Sequence, residues 1–191
     1  DGKGYHYLLK TPFRYPPLPW GSRFGRTHEP GILYGGCSVH TTLAESAYYR
    51  FVFWHAMAAP APKDQMISQH TLFSASYKTA RGVRLHEPPF DAHRAQLAHP
   101  ARYDATQALG TAMREAGVQA FEYVSARDPR GGHCVGLFTL QALTQKRPRD
   151  MSQWLCQASA RAVSFKPANG PDVVTFPIEA FLHEGRLPMP A

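Results

Sequence analysis

The sequence is organised around residues 21–53, GSRFGRTHEPGILYGGCSVHTTLAESAYYRFVF. A polar, glycine-containing loop carries Arg23 and Arg26 and leads into the short apolar stretch 32–34. A glycine pair follows, and then apolar side chains recur at three- and four-residue spacing, which is typical of a helix packed on one face. One acid, Glu45, interrupts the apolar residues of that helix. The stretch therefore predicts a strand followed by a helix, with two cations and one carboxylate nearby.

The helix is predicted from about His40 to Met57. Ser38 is the predicted N-cap, because a serine hydroxyl can accept the hydrogen bond of an otherwise unpaired amide in the first turn. Glu45 has apolar neighbours, and a carboxylate in such surroundings must be hydrogen-bonded or functional. The ordinary alternative is a solvated carboxylate that pairs with Arg50 or another arginine. The local sequence favours neither interpretation.

The composition is typical of a folded globular protein, with 43% hydrophobic and 18% charged residues among 191. This length favours a single domain over residues 1–191. The 21 basic and 14 acidic residues give a net charge of +7, which favours nucleic acid, a phosphorylated small molecule or an acidic protein as ligand. Because no run of five or six basic residues occurs, nucleic acid is disfavoured.

The cysteines, Cys37, Cys134 and Cys156, are odd in number and form no CxxC pair. The sequence therefore predicts neither a disulfide framework nor a zinc site, and a reducing cytoplasm is the expected location. No apolar run reaches the ~18 residues of a membrane span, and no signal-peptide pattern opens the chain. Because the chain begins at Asp1 rather than methionine, its start is expected to be processed, trimmed or part of a longer protein.

The rest of the chain predicts short strands and helices without regular βαβ alternation, which favours an α+β fold. The predicted strands are 5–15, 32–35, 69–77, 82–85, 118–126, 133–138, 152–165 and 172–177, and the other predicted helices are 91–98, 103–116 and 178–184. Gly117 is the predicted C-terminal cap of helix 103–116. Strands 118–126 and 133–138 are predicted to form a β-hairpin.

Common catalytic and nucleotide-binding motifs are absent: the sequence contains no GxGxxG after a strand, no GxxxxGK[ST], no HExxH and no GxSxG. Three histidines lie close together in sequence, His86, His93 and His99, but their spacing matches no helical pair of metal ligands. No metal site is therefore predicted.

The segment SARDPRGGH places a hydroxyl, Ser125, a guanidinium, Arg127, and several backbone amides at the end of a predicted strand. That combination suits an anion. Arginines such as Arg14 and Arg23 offer a planar fork that suits a pyrophosphate or a carboxylate. Taken singly, each residue also has an ordinary interpretation as a surface arginine, a turn hydroxyl or, for Tyr34, a core aromatic.

Together these segments resemble the RES-domain family, which is named for its arginine, glutamate and serine. The resemblance covers nearly the whole chain, and the segments that carry it occur in the family's order: TPFRYPPLPWGSRFG, ILYGG with TTLAESAYYR, TARGVRL, PPFDAHRA, YDATQALGTAMREAG and FEYVSARDPRGGHCVGLF. It implies a single domain of mixed twisted sheets with flanking helices, similar to ADP-ribosyltransferase toxins. The activity it implies is degradation of NAD⁺, in some members by phosphorolysis.

The resemblance also implies partners. Many members are toxins of bacterial toxin–antitoxin pairs, so the expected partners are NAD⁺ and an Xre-type antitoxin or immunity protein, and a homodimer is allowed. NAD⁺ is expected as a substrate rather than a bound cofactor, with inorganic phosphate as co-substrate. The expected location is the cytoplasm, or a target cell if the chain is a piece of a delivered effector.

The family's catalytic residues match Arg23 in SRFG, Tyr34 in the strand and Glu45 in the helix. Arg23 and Tyr34 are also expected to bind NAD⁺, and the further NAD⁺-binding residues implied are Arg14, Tyr49, Ser125 and Arg127.

Two positions limit this match. Arg26 stands near Arg23, so the sequence does not decide which takes the family role. His133 occupies a position where many relatives carry asparagine, which puts a ligand contact there in doubt.

Glu45 is expected to stabilise the positive charge that develops on the ribose as nicotinamide leaves. Arg23 and Arg14 would hold the pyrophosphate or an attacking phosphate, Tyr34 would stack on nicotinamide, and Ser125 would bind the ribose or the amide. The acceptor remains open between phosphate, water and protein. The alternatives are a protein mono-ADP-ribosyltransferase and a non-catalytic module that binds nucleic acid or a protein partner through the +7 charge.

Overall fold

Two four-stranded sheets with helices packed around them form the protein. The computed structural model describes residues 2–15, 17–61 and 63–189. The strands are β1 (Leu33–Gly36), β2 (Met66–Ser74), β3 (Gly82–Arg84), β4 (Ala120–Val124), β5 (His133–Leu137), β6 (Arg149–Ala158), β7 (Ala162–Pro167) and β8 (Val174–Pro177). The α-helices are α1 (Tyr7–Lys10), α2 (Val39–His55), α3 (Arg94–Leu97) and α4 (Asp104–Glu115). The predicted α+β class is confirmed.

The first sheet has the strand order β1-β5-β4-β3. β1, β5 and β4 pair antiparallel, and β3 joins β4 in parallel at the edge. The predicted hairpin of β4 and β5 is confirmed, with Glu122 opposite Val135. The loop of this hairpin, residues 125–132, therefore lies at one end of the sheet, where the chain reverses direction.

The second sheet, β2-β6-β7-β8, is antiparallel throughout. Its inner side contributes Cys156, Val163, Phe165 and Phe176 to a buried cluster. Leu155, which precedes Cys156 in β6, is exposed, because successive side chains of a strand point to opposite sides of the sheet.

Helix α2 contacts β6 and β7 of the second sheet and β1 and β5 of the first. Its N-terminus is capped as predicted, because the Ser38 hydroxyl accepts a hydrogen bond from the Thr41 amide at 3.1 Å. Ala47, Tyr48 and Phe51 are fully buried and pack into the second sheet's cluster. Hence α2 connects the two sheets, and its remaining side faces the first sheet.

An aromatic cluster fills the core of the first sheet. The Phe24 ring lies 4.7 Å from that of Phe121 and 4.9 Å from that of Tyr123. Gly136 is required under this cluster, because a Cβ there would lie 2.2 Å from the Phe121 ring. The loop that carries Arg23 is thereby packed against the centre of the sheet through its neighbour Phe24.

The predicted opening strand, 5–15, is wrong. The segment forms the single turn α1 followed by a 3-10 turn over Thr11–Phe13. The His6 side chain accepts a hydrogen bond from the Leu8 amide and so starts the turn. Leu9 is fully buried against the first sheet, so this turn buries its central apolar side chain without any strand pairing.

The predicted strand 152–165 is also wrong, because a turn divides it into β6 and β7. The Ser159 hydroxyl accepts hydrogen bonds from the Arg161 and Ala162 amides at 3.3 and 3.1 Å, which closes the turn. Two predicted helices also differ in type: 91–98 is a 3-10 turn leading into α3, and 178–184 is a single 3-10 turn over Ile178–Phe181.

The predicted strands 32–35, 69–77, 82–85 and 172–177 and the predicted helices 40–57 and 103–116 are confirmed, with shifted ends. Gly117 follows α4 with φ of +73°, the left-handed conformation in which glycine commonly ends a helix. Within the described residues, no helix is both long and apolar enough to cross a membrane.

Candidate functional site

A pocket of about 470 Å³ opens between the N-terminal segment, the arginine-bearing loop, α2 and the first sheet. Five of the predicted site residues line it, namely Arg23, Tyr34, Glu45, Tyr49 and Arg127. Ser125 reaches the pocket through its hydrogen bond to Glu45. Its volume is within the usual range for small-molecule sites.

Glu45 is half-buried on the side of α2 that faces the first sheet. Its Oε1 accepts a hydrogen bond from the Ser125 hydroxyl at 2.5 Å and a weak one from the Cys134 thiol at 3.6 Å. Burial, with the neighbouring charge of Glu45, raises the pKa of Cys134 well above its ordinary value, so the thiol stays a donor. Two donors from the β4–β5 hairpin therefore fix the carboxylate of α2.

The Ser125 hydroxyl is fully used within the protein. Besides donating its proton to Glu45, it accepts from the amides of Arg127 and Asp128 at 3.1 and 2.9 Å. This amide pair belongs to the tight turn that follows β4. The serine thus ties the conformation of the hairpin loop to the orientation of the carboxylate.

Arg23 is 8% exposed. Its Nη1 donates to the carbonyls of His99 at 2.8 Å and Leu97 at 3.4 Å, and its guanidinium lies 4.7 Å from the ring centroid of Tyr103. Its Nη2 is buried and has no hydrogen-bond partner among the described residues. A buried donor left without an acceptor is costly, so Nη2 is a free contact point for a ligand.

Arg127 is 4% exposed. Its Nη2 donates to the Tyr103 hydroxyl at 2.9 Å, and its guanidinium lies 3.5 Å from the ring centroid of Tyr48. Across the described part of the chain, no carboxylate lies within 4.0 Å of either Arg127 or Arg23. Two buried cations without a protein anion make the pocket chemically suited to an anionic ligand.

Tyr34 holds the arginine-bearing loop in place. Its hydroxyl lies 2.9 Å from that of Ser22 and accepts from the Phe24 amide at 3.1 Å. Burial raises the pKa of Tyr34 to about 12, so the hydroxyl is neutral at physiological pH. The tyrosine therefore fixes both neighbours of Arg23 and presents the rest of its ring to the pocket.

The other sequence candidates lie nearer the surface. Tyr49 lines the pocket and is 39% exposed. Arg14 is exposed and does not line the pocket, although Pro12 and Tyr15 on either side of it do. Arg26 is exposed and does not line the pocket, which distinguishes it from Arg23.

His133 is outside the pocket lining. It is exposed, and its ring stacks on His86 at 4.1 Å. Within residues 2–15, 17–61 and 63–189, no group of three or more histidine, cysteine, aspartate or glutamate side chains could hold a metal ion.

The pocket residues that sequence reasoning missed include Tyr103 and Cys134, which contact its predicted charged residues. Tyr103 stands at the N-cap position of α4, where the sequence shows only a helix start. Cys134 belongs to a strand whose alternation places it inward, but alternation does not show that Glu45 lies beside it. Both residues become visible only when elements distant in sequence are brought together.

Residues 2–159 match the RES domain. The chain belongs to the RES-domain family. RES domains occur in toxins of toxin–antitoxin systems whose activity concerns NAD⁺. No curated protein matches the chain.

The RES match ends at residue 159, although β7 continues the second sheet and pairs with β6. The assignment of residues 1–191 to one RES-type domain therefore stays a prediction for the C-terminal part. Asp1, Pro190 and Ala191 lie outside the described residues.

Proposed function

We propose that this RES-domain chain cleaves the bond between nicotinamide and ribose in NAD⁺ and transfers the ADP-ribosyl group to inorganic phosphate. One observation carries the proposal: a carboxylate fixed by a serine, Glu45 with Ser125, shares a pocket with two buried arginines that have no carboxylate partner among the described residues. An anionic dinucleotide with a cationic leaving group needs both kinds of charge.

The arginines suit the pyrophosphate. Arg23 and Arg127 are held by carbonyl, hydroxyl and ring contacts rather than by acids, so their positive charge is available to the ligand. Guanidinium groups bind phosphate oxygens through two parallel hydrogen bonds. Binding of the pyrophosphate would also satisfy the unpartnered Nη2 of Arg23.

Glu45 suits the reacting ribose. As the bond to nicotinamide lengthens, positive charge develops on the ribose, and a fixed carboxylate stabilises that charge more than the ground state. The hydrogen bond from Ser125 orients the carboxylate before the substrate binds, so little reorganisation is needed during the reaction. The ring of Tyr34, which lines the same pocket, would contact nicotinamide.

The transfer balances without an added acid or base. An oxygen of HPO₄²⁻ bonds to the anomeric carbon of the ribose while the C–N bond to nicotinamide breaks. The electron pair of the C–N bond goes to the ring nitrogen, so nicotinamide leaves as a neutral molecule. The products are nicotinamide and ADP-ribose carrying a phosphate at the anomeric carbon. Phosphate is proposed as the acceptor because the activity that the family resemblance implies is, in some members, phosphorolysis.

Family membership extends the proposal to partners. An Xre-type antitoxin or an immunity protein would restrain the enzyme, and cytoplasmic NAD⁺ would be its substrate pool. The exposed side chains of Tyr15 and Leu18 at the pocket mouth, 68% and 51% exposed, offer such a partner apolar contacts. A homodimer stays a prediction.

The test is incubation of the purified protein with NAD⁺, with and without phosphate, followed by identification of the products by mass. The phosphorylated product is expected only with phosphate. Free ADP-ribose at equal rates in both samples would contradict the phosphate acceptor, and labelled protein bands from labelled NAD⁺ would indicate protein ADP-ribosylation instead.

Variants test the residues. Glu45→Gln is expected to lower kcat by about 10²–10³-fold, the typical effect of removing one fixed electrostatic group. Arg23→Ala should lower kcat/KM strongly, whereas its matched control Arg26→Ala, an exposed arginine of the same loop, should act like the parent. NAD⁺ consumption by Glu45→Gln at the parental rate would contradict the assignment.

A further inference from the structure

Tyr103 contacts both arginines of the pocket through different parts of one side chain. Its ring lies under the guanidinium of Arg23, 4.7 Å from centroid to Cζ. Its hydroxyl accepts a hydrogen bond from Nη2 of Arg127 at 2.9 Å. The residue lines the pocket and is 4% exposed. The tyrosine is thus the shared contact of two cations that no acid in residues 2–15, 17–61 and 63–189 neutralises.

Hydrogen bonds within the first turn of α4 also fix the backbone of Tyr103. Its carbonyl accepts hydrogen bonds from the Gln107 amide at 2.8 Å and from the Thr106 hydroxyl at 3.0 Å, so the start of α4 fixes its position. Thr106 is itself fully buried. A ring fixed in this way can determine where each guanidinium lies.

Two guanidinium groups in one pocket repel each other and, if unconstrained, would move apart toward water or toward acidic side chains. The ring of Tyr103 attracts one cation through its negative face, and the hydroxyl oxygen attracts the other through a lone pair. Both attractions end at the same rigid side chain. Together with the carbonyls that hold Arg23 and the Tyr48 ring beside Arg127, this side chain constrains the separation of the two cations before any ligand binds.

We propose that Tyr103 is the positioning residue that holds the Arg23 and Arg127 guanidiniums as one unit for binding a single pyrophosphate group. The inference rests on the proposed function, since it concerns how the same pocket binds its anionic ligand. It adds a residue whose role is exerted through the two arginines.

The test separates the hydroxyl from the ring. Tyr103→Phe keeps the ring under Arg23 and removes only the acceptor for Arg127, whereas Tyr103→Leu removes both. Tyr77→Phe is the matched control, because the Tyr77 hydroxyl also makes one partly buried side-chain hydrogen bond, to Glu122 at 2.6 Å, outside the pocket lining. Binding of inorganic pyrophosphate is measured by calorimetry, and kcat and KM for NAD⁺ are measured on the same samples.

Tyr103→Phe is expected to weaken pyrophosphate binding about tenfold, the typical effect of losing one hydrogen bond to a charged group, and to raise the KM for NAD⁺ similarly with little change in kcat. Tyr103→Leu should weaken binding further, and Tyr77→Phe should leave it unchanged. Parental pyrophosphate affinity in Tyr103→Phe would overturn the inference, as would a loss confined to kcat.

A double-mutant cycle covers the case in which Tyr103→Leu fails to fold. In the Arg127→Lys background, Tyr103→Phe should cost much less pyrophosphate affinity than in the parent, because the shared hydrogen bond is already altered. Equal costs in both backgrounds would overturn the inference. A parent protein that consumes NAD⁺ but does not bind pyrophosphate would overturn the inference alone, and one that does neither would overturn the proposed function as well.

Discussion

The hydroxyl of Ser125 joins the carboxylate of α2 to the hairpin loop of the first sheet. A serine hydroxyl has one proton and two lone pairs, and here all three are used: one donated hydrogen bond to Glu45 and two accepted from backbone amides. The amides belong to Arg127 and Asp128, which are 4% and 7% exposed. Water therefore has little access to replace the serine.

Ser125→Ala is expected to lower both activity and stability. The free energy of unfolding should fall by about 2 kcal/mol, because two buried amides lose their acceptor, and kcat should fall because Glu45 loses its orienting donor. Urea unfolding and NAD⁺ turnover are the measurements. Ser164→Ala, whose hydroxyl makes an exposed contact with Thr175 on the second sheet, is the control and should change neither. Parental kcat in Ser125→Ala would show that the serine does not orient Glu45.

The sequence could single out Glu45 as a candidate because its neighbours are apolar, and the family resemblance then implied its catalytic role. It could not identify what fixes that acid, because Ser125 lies 80 residues away and only the packing of α2 on the first sheet joins them. The choice between Arg23 and Arg26 was open for a similar reason. Ser22 and Gly25 pair across a tight turn, in which Arg23 is buried and Arg26 is exposed. The local sequence does not predict which of the two arginines this turn buries.

At the level of elements, Asp128 fastens the hairpin loop to the first turn of α2. Its Oδ2 accepts from the Thr41 hydroxyl at 2.8 Å, and its Oδ1 accepts from the Arg130 amide at 2.9 Å and lies 3.3 Å from Nδ1 of His40. Burial alone would raise the pKa of Asp128, but the hydrogen bonds from Arg130 and Thr41 and the nearby His40 together lower it. The carboxylate form is thus favoured by folding.

A lowered pKa in the folded state means that this contribution to stability is present above the unfolded pKa and is lost as pH falls through the folded one. We therefore expect the stability of the parent to decrease below about pH 4, where an unperturbed aspartate gains its proton. Asp128→Asn should be less stable at neutral pH by about 1–3 kcal/mol, and its stability should depend less steeply on pH below 4. Urea unfolding between pH 3 and 7 measures both effects.

Asp172→Asn is the matched control for this pH dependence, because Asp172 is exposed in the turn between β7 and β8. It should follow the parent at every pH. The pKa of the Glu29 carboxyl is also lowered. Because Glu29 is present in all three proteins, its contribution to the pH dependence of stability is the same in each and does not affect the comparison. An Asp128→Asn protein with the parental slope below pH 4 would contradict the role of this carboxylate.

Elements with a clear period or clear turn signals at their ends were predictable, and segments without them were not. Helix α2 spans 17 residues and has a clear cap, so its apolar spacing and Ser38 sufficed. The segment 5–15 holds apolar residues without a clear period, and its structure follows from the burial of Leu9 against the first sheet. The turn at Ser159 interrupts a run that reads as one strand, because a single serine closes it without glycine or proline.

At the level of the whole molecule, the pocket depends on residues beyond the RES match. Val163, Phe165, Phe176 and Phe181 lie after residue 159 and form much of the cluster that packs on α2. In addition, the hydroxyl of Tyr48 donates to the carbonyl of Pro188 at 2.7 Å, and the Tyr48 ring lies under Arg127. The C-terminal segment therefore holds the helix that carries Glu45.

Phe165→Ala tests whether the second sheet and the pocket unfold as one unit. Removing this ring, which is 1% exposed, should lower the free energy of unfolding by about 3–5 kcal/mol and the Tm by about 10 °C. Leu155→Ala is the control, because Leu155 is 43% exposed on the other side of the same sheet and should change stability by about 0.5 kcal/mol or less. Circular dichroism and NAD⁺ turnover, followed through the same thermal transition, should be lost together. Activity that survives in Phe165→Ala above its shifted Tm would show instead that the first sheet and α2 hold the pocket without the C-terminal strands.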